Sequence, residues 1–178
     1  MDYNGDGVLN TGEPSVRTEE DGGYSLTVSQ PNFSIVATTD RNTIDTSSGA
    51  VLDGITLTAP SGASVVTPTT TLMQQGNLTA SQVVEALGLP SNIDPTTFNP
   101  FAPGADPDNA LAVEKAGQQI MVAIKSFSGA LEEAGADDGA AFKAALNAVV
   151  SVVKTKASNG GTLDLTSDAD LASISTAV

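Results

Sequence analysis

The sequence predicts an α+β chain, with a small, incomplete antiparallel β-sandwich over residues 1–67 followed by an Ala-rich helical bundle over 68–178. Two shifts along the chain support this reading. Sixteen of 20 Thr residues precede position 98, whereas 18 of 24 Ala residues follow position 101 and all five Lys lie between 115 and 156. The hydrophobic period also changes near Pro68, from two to about 3.6 residues. At 178 residues with 40% hydrophobic content, the chain can build one sizeable core or two small ones.

The β part rests on short β-branched runs separated by turn residues. Tyr24–Val28, Phe33–Thr39, Ile55–Ala59 and Ser64–Thr67 read as strands, divided by Asp21-Gly22-Gly23, Gln30-Pro31-Asn32, Asp53-Gly54 and Pro60-Ser61-Gly62. Tyr24, Leu26 and Val28 alternate with polar Ser25 and Thr27, the pattern of a strand buried on one face.

The helical part follows start and stop chemistry. Pro68 opens a helix over Thr69–Gln75, and Thr79 caps Ala80–Leu87, which Gly88 and Pro90 end. Asp106 or Asp108 caps a long helix to about Ala134, with Val113, Gly117, Ile120, Ile124, Phe127 and Leu131 on one stripe and Gly117 marking a close helix crossing. Asp137 or Asp138 starts its antiparallel neighbour, striped by Phe142, Leu146, Val149, Val150 and Val153. Asn159-Gly160-Gly161 breaks the chain before a last short helix within Thr166–Val178.

Composition removes whole classes of function. Zero Cys and zero His exclude thiol nucleophiles, Cys/His zinc sites and the commonest acid–base side chain near neutrality. A net charge of −14 makes nucleic acid and anionic membranes poor partners and divalent cations good ones. No stretch approaches the roughly 20 apolar residues of a membrane span, so no membrane insertion is expected. Ser151-Val152-Val153-Lys154 has the S-x-x-K spacing of serine acylases, but neither K-T-G nor S-D-N accompanies it, and a surface-helix role suffices. Two carboxylates of a hydrolase are compatible with the composition, yet no Trp and two Tyr leave no evident sugar platform. The chain is therefore read as non-enzymatic.

One loop carries chemistry. Asp2-Tyr3-Asn4-Gly5-Asp6-Gly7-Val8-Leu9-Asn10-Thr11-Gly12-Glu13 places oxygen donors at positions 1, 3, 5, 9 and 12 of a twelve-residue calcium loop, with Gly at position 6. Calcium takes six to eight hard oxygen ligands. Asp2, Asn4 and Asp6 are expected to supply side-chain oxygens, Val8 its carbonyl, Asn10 a direct or water-bridged contact, and Glu13 a bidentate carboxylate. Pro14 follows at once, so the loop lacks the exiting helix of an EF-hand and belongs in a β context. The competing reading is a solvated Asp/Asn/Gly turn. Asp40, Asp45 and Asp53, bracketing Ser47-Ser48-Gly49, are candidates for a second cation site or for binding a polar ligand such as a glycan.

Asp2–Pro14, followed by Thr18-Glu19-Glu20-Asp21-Gly22-Gly23-Tyr24-Ser25-Leu26, resembles a segment of the B-type repeats of bacterial surface adhesins and of carboxypeptidase regulatory-like, transthyretin-like β-sandwiches. The resemblance covers about 25 residues of the N-terminal part. It implies a secreted or cell-surface bacterial location, with an export signal outside these residues, and a calcium ion that stiffens the loop. The strand that precedes this loop in the family is missing, so the sandwich is incomplete or the chain is a fragment of a longer one. A missing strand implies an exposed sheet edge and hence a homodimer through strand pairing. Val65-Val66-Thr67-Pro68-Thr69-Thr70-Thr71-Leu72 more loosely resembles modules of very large exported marine bacterial proteins. Some adhesin repeats carry a Lys–Asn/Asp isopeptide bond; positions 1–114 contain no Lys, which excludes one within the β part.

Overall fold

The computed structural model describes residues 1–45 and 49–178. Its described elements are two strands and five helices: β1 (Ser34–Thr38), β2 (Thr56–Pro60), α1 (Pro68–Gly76), α2 (Ala80–Ala86), α3 (Pro107–Glu133), α4 (Asp138–Ser158) and α5 (Asp168–Ala177). The strands pair antiparallel, with Ser34 opposite Pro60 and Thr38 opposite Thr56. The connection between them continues as a looser hairpin, in which Thr39 bonds Ile55, Leu52 bonds Thr43, and Ile44 bridges Val51.

The helices begin where cap chemistry places them. Thr67 forms a capping box with Thr70, and Pro68 at N1 gives up no needed N–H. Thr79 and Gln82 form a second capping box. Asp106 accepts from the Asn109 amide at 2.9 Å, and Asp137 from the Ala140 amide at 3.0 Å, so α3 and α4 start after acidic caps. The four-residue connection Ala134–Asp137 folds α4 back on α3. Ser167 precedes α5 without a side-chain cap bond. Gly117 faces the ring of Pro68, and a Cβ there would sit 3.9 Å from Pro68 Cγ, so the crossing of α3 with the start of α1 does not demand glycine.

The main core joins Leu72 of α1, Ile120 and Ile124 of α3, Ala145, Val149 and Val153 of α4, and Ile174 of α5. Ile55 and Leu57 enter it from β2 and its approach, so the packing runs across residue 67. Threonine hydroxyls make the junction between sheet and helices. Thr58 donates its amide to Thr71 Oγ1 at 2.9 Å, and its carbonyl accepts from Thr70 and Thr71 hydroxyls, each at 3.1 Å. Gln75 Nε2 donates to Thr58 Oγ1. Every one of these buried groups has a partner, which is what makes a polar seam tolerable inside a fold.

The expected β-sandwich is not present. A sandwich needs a second sheet to cover the inner face of the first, and the described residues form a single two-stranded sheet whose free β2 edge is taken by α1 at Thr58. Of the four expected strands, Phe33–Thr39 and Ile55–Ala59 correspond to β1 and β2. Tyr24–Val28 is not a strand: Tyr24 and Leu26 are half-buried, Val28 is exposed, and no ladder forms there. Ser64–Thr67 is recruited elsewhere, because Ser64 donates its amide to Thr96 O and Thr67 turns to cap α1. Alternating β-branched residues satisfy strand geometry locally, but without a neighbouring strand the backbone has no ladder to join.

Candidate functional site

The loop from Asp2 to Glu13 is anchored on the outer side of β1. Asp2 and Ser34 exchange both backbone hydrogen bonds at 2.9 Å, and the amino group of Met1 donates to Pro14 O at 2.8 Å. These contacts bring the two ends of the loop together beside the sheet. Asp2 is buried, whereas Asn4 to Gly12 are exposed.

Within the loop the side-chain oxygens turn inward as a staircase. Asp2 Oδ1 accepts from the amides of Asn4 (3.2 Å) and Gly5 (2.7 Å), and its Oδ2 from Gly7 (2.9 Å). Asn4 Oδ1 accepts from the Asp6 amide, and Asp6 Oδ1 from the Val8 amide. Each step is an Asx turn in which a side chain caps the backbone two residues on. Gly7 sits at φ +75°, a conformation that L side chains rarely adopt, as the sixth position of a calcium loop requires. Glu13 closes the ring, accepting from the Tyr3 amide on one oxygen and the Asn10 amide on the other, both at 2.7 Å. Tyr3 ties the loop outward through its hydroxyl to Ser29.

The six predicted residues are thus brought into one ring. At its open side Asn10 Nδ2 lies 3.1 and 2.9 Å from the two oxygens of Asp6 and 2.9 Å from Val8 O. An amide nitrogen carries two hydrogens, so three acceptors exceed what it can satisfy fully. Rotating the amide by half a turn puts Asn10 Oδ1 there instead, next to three other oxygens. That flipped form is favourable with a cation between the oxygens, whereas the amide as placed donates to Asp6 and Val8 and holds the loop closed by itself. The donor set fits a hard divalent ion, with carboxylate, amide and main-chain oxygens and no nitrogen or sulfur ligand. The Asp6 carboxyl is held below the usual carboxylate range, first by the Val8 amide and then by the Asn10 and Asn4 side chains.

Among the described residues, no group of three or more Asp or Glu side chains gathers closely enough to hold a metal. The reason is local: Asp2 and Glu13 spend their carboxylates on backbone amides, so the open side of the ring is formed by Asp6, Val8 and Asn10. The second acidic loop does not converge either. Asp40 pairs with Arg17 at 3.1 Å and Asp53 with Arg41 at 3.4 Å, all four side chains being exposed. Asp45 closes the hairpin with Ala50, and Ser47 and Ser48 lie outside the described residues. Ser151 and Lys154 are exposed on α4, and Ser151 O accepts from the Thr155 hydroxyl, an ordinary helix-surface bond.

A feature that sequence reasoning missed is a groove of about 410 Å³ between the end of the β hairpin, α3 and the start of α4. Its floor includes Ile55, Ser128 and Phe142, and Asp53, Lys125, Glu132 and Asp138 stand around it. Ser128, buried, donates to Glu132 Oε1 at 2.8 Å. These residues come from three separate elements, and no spacing in the sequence unites them.

No family model, curated protein or solved structure matches this chain. No helix is long and apolar enough to cross a membrane among the described residues.

Proposed function

We propose that the chain is a non-enzymatic calcium-binding module, structural or adhesive, of a secreted or cell-surface bacterial protein. Asp2, Asn4, Asp6, Val8, Asn10 and Glu13 hold the ion, which takes over the inward-facing oxygens and stiffens the loop against β1. The observation that carries this reading is Asn10, whose side chain sits against three oxygens of Asp6 and Val8. Extracellular sites of this chemistry bind calcium at about 10⁻⁴–10⁻³ M, so the ion is structural rather than regulatory.

Calorimetric titration of calcium into chelator-treated protein is expected to show one ion per chain. Saturation at about 100 times Kd contributes about 2.7 kcal/mol, and the melting temperature rises by about 5 °C or more for a chain of this length. Asp6→Ala removes both signals; Asp6 is the variant of choice because it is exposed and, unlike Asp2, anchors no buried backbone. Absence of heat and of any melting shift in the wild type reduces the ring to a self-capped turn.

A second reading, a polar-ligand module, is favoured by the groove beside Asp53. Its charged rim and Phe142–Ile55 floor suit a small polyhydroxylated or amino-bearing ligand. Saturable shifts at Phe142 and Ser128 in an NMR titration with glucosamine, lost in Glu132→Ala, are the expected result. No shift at either residue removes this reading.

A further inference from the structure

We propose that the outer edge of β1, at Val36 and Thr38, docks an extended, basic segment of a partner protein, which adds to the sheet as a strand. Strand parity sets this edge. Ser34 directs its N–H and C=O to Asp2, away from β2, whereas Thr39 donates to Ile55 on the β2 side. Alternate residues of a strand face opposite neighbours, so Val36 and Thr38 point the same way as Ser34. Asp2 ends the pairing at Ser34, and no backbone partner meets Val36 or Thr38 on that side among the described residues. Two N–H and two C=O groups stand open in line with Met1–Asp2.

The same edge borders an apolar groove of about 200 Å³. Met1, Val8, Leu9, Val16 and Leu26 line it along with Val36, and Val8 and Leu9 are each 62% exposed. A strand laid against Val36 and Thr38 directs alternate side chains into this groove, where a branched aliphatic group fits. Main-chain bonds then supply affinity and the groove supplies selectivity, the usual division in strand addition.

Charge selects the partner. Residues 1–40 carry seven acidic side chains (Asp2, Asp6, Glu13, Glu19, Glu20, Asp21 and Asp40) against one basic, Arg17, which already pairs with Asp40. A basic strand is attracted to this end of the molecule. A second copy, bringing its own −14, is repelled. The hydrogen-bonding edge is β1 backbone and coordinates no ion, but its groove shares Val8 and Leu9 with the loop and its charge shares Asp2, Asp6 and Glu13, so the test is run both in calcium and in chelator.

The test is an NMR titration of the full chain with a synthetic peptide, acetyl-Lys-Thr-Val-Thr-Val-Thr-Lys-amide, and its Glu-flanked twin, each in calcium and in chelator. The Lys peptide is expected to bind saturably and to slow amide exchange at Val36 and Thr38, with the Glu peptide weaker. Thr38→Pro removes one outward N–H while sparing the β2 ladder, since proline is tolerated on strand edges. It should weaken binding by about tenfold, the upper end for one hydrogen-bond donor. Leu9→Lys, at an exposed wall position, provides a second variant that leaves the backbone untouched and should also weaken the peptide. Unchanged exchange at Val36 and Thr38, or binding that both variants leave intact, overturns the proposal. Protection at these amides that grows with protein concentration alone identifies a second copy and overturns the basic partner. Either result leaves the calcium titration free to succeed or fail by itself.

Discussion

Truncating Leu72 to Ala is expected to lower the unfolding free energy by about 3–5 kcal/mol, the upper range for a fully enclosed leucine. Leu72 is wholly buried in α1 and belongs to the cluster with Ile120 and Ile124 of α3 and Val149 and Val153 of α4. Helices on three sides leave the cavity little room to collapse. Denaturation in urea should show a lower midpoint with an unchanged slope. Leu111→Ala, on a side chain that is 67% exposed, is the control and should cost under about 0.5 kcal/mol. Equal effects of the two changes would mean that α1 does not seat in the core.

The second large effect is expected at Asp170. Its Oδ1 pairs with Lys156 Nζ at 2.6 Å, and its Oδ2 accepts from the Asp164 amide at 2.8 Å, with the carboxylate only 12% exposed. Asp170→Ala leaves a poorly solvated ammonium and an amide without their acceptor, a loss of about 2–3 kcal/mol. The Asp170 carboxyl is held below its ordinary value, first by the hydrogen bond from Lys156 and then by the Asp164 amide. A group depressed in the folded state stabilises fully above its unfolded pKa, near 3.9, and loses that contribution as the pH falls through the lower folded value. The gap between wild type and Asp170→Ala should therefore hold constant from pH 7 to about 5 and narrow below about 4. Taking the difference cancels the titration of the remaining carboxylates, which both proteins share. A gap that persists unchanged at pH 2 would assign the effect to packing rather than to the ion pair.

The α-helices were legible because their signals are local. Thr67, Thr79, Asp106 and Asp137 each begin a helix as their side chains demand, and the Phe142, Leu146, Val149, Val150 and Val153 stripe is buried throughout. The local shape of the Asp2–Glu13 loop was legible for the same reason: Asx turns and Gly7 form within twelve residues, without help from afar. Tyr24–Val28 shows the opposite case. Its alternation is as regular as that of a strand, yet a strand exists only when another lies beside it, and the run remains unpaired.

What the sequence by itself determined is thus the set of elements that close their own hydrogen bonds within a few residues: the helices, their caps and the oxygen-lined loop. Tertiary structure alone decided that α1, rather than a further strand, takes the free edge of β2, because the Thr58 backbone finds its partners in the hydroxyls of Thr70 and Thr71. It also decided which groups stay open, the edge at Val36 and Thr38 and the groove from Asp53 to Phe142. The physical reason is range. A cap or an Asx turn is satisfied within one turn of chain, whereas a sheet neighbour or a groove wall depends on segments tens of residues away, whose arrival is set by how the whole core packs.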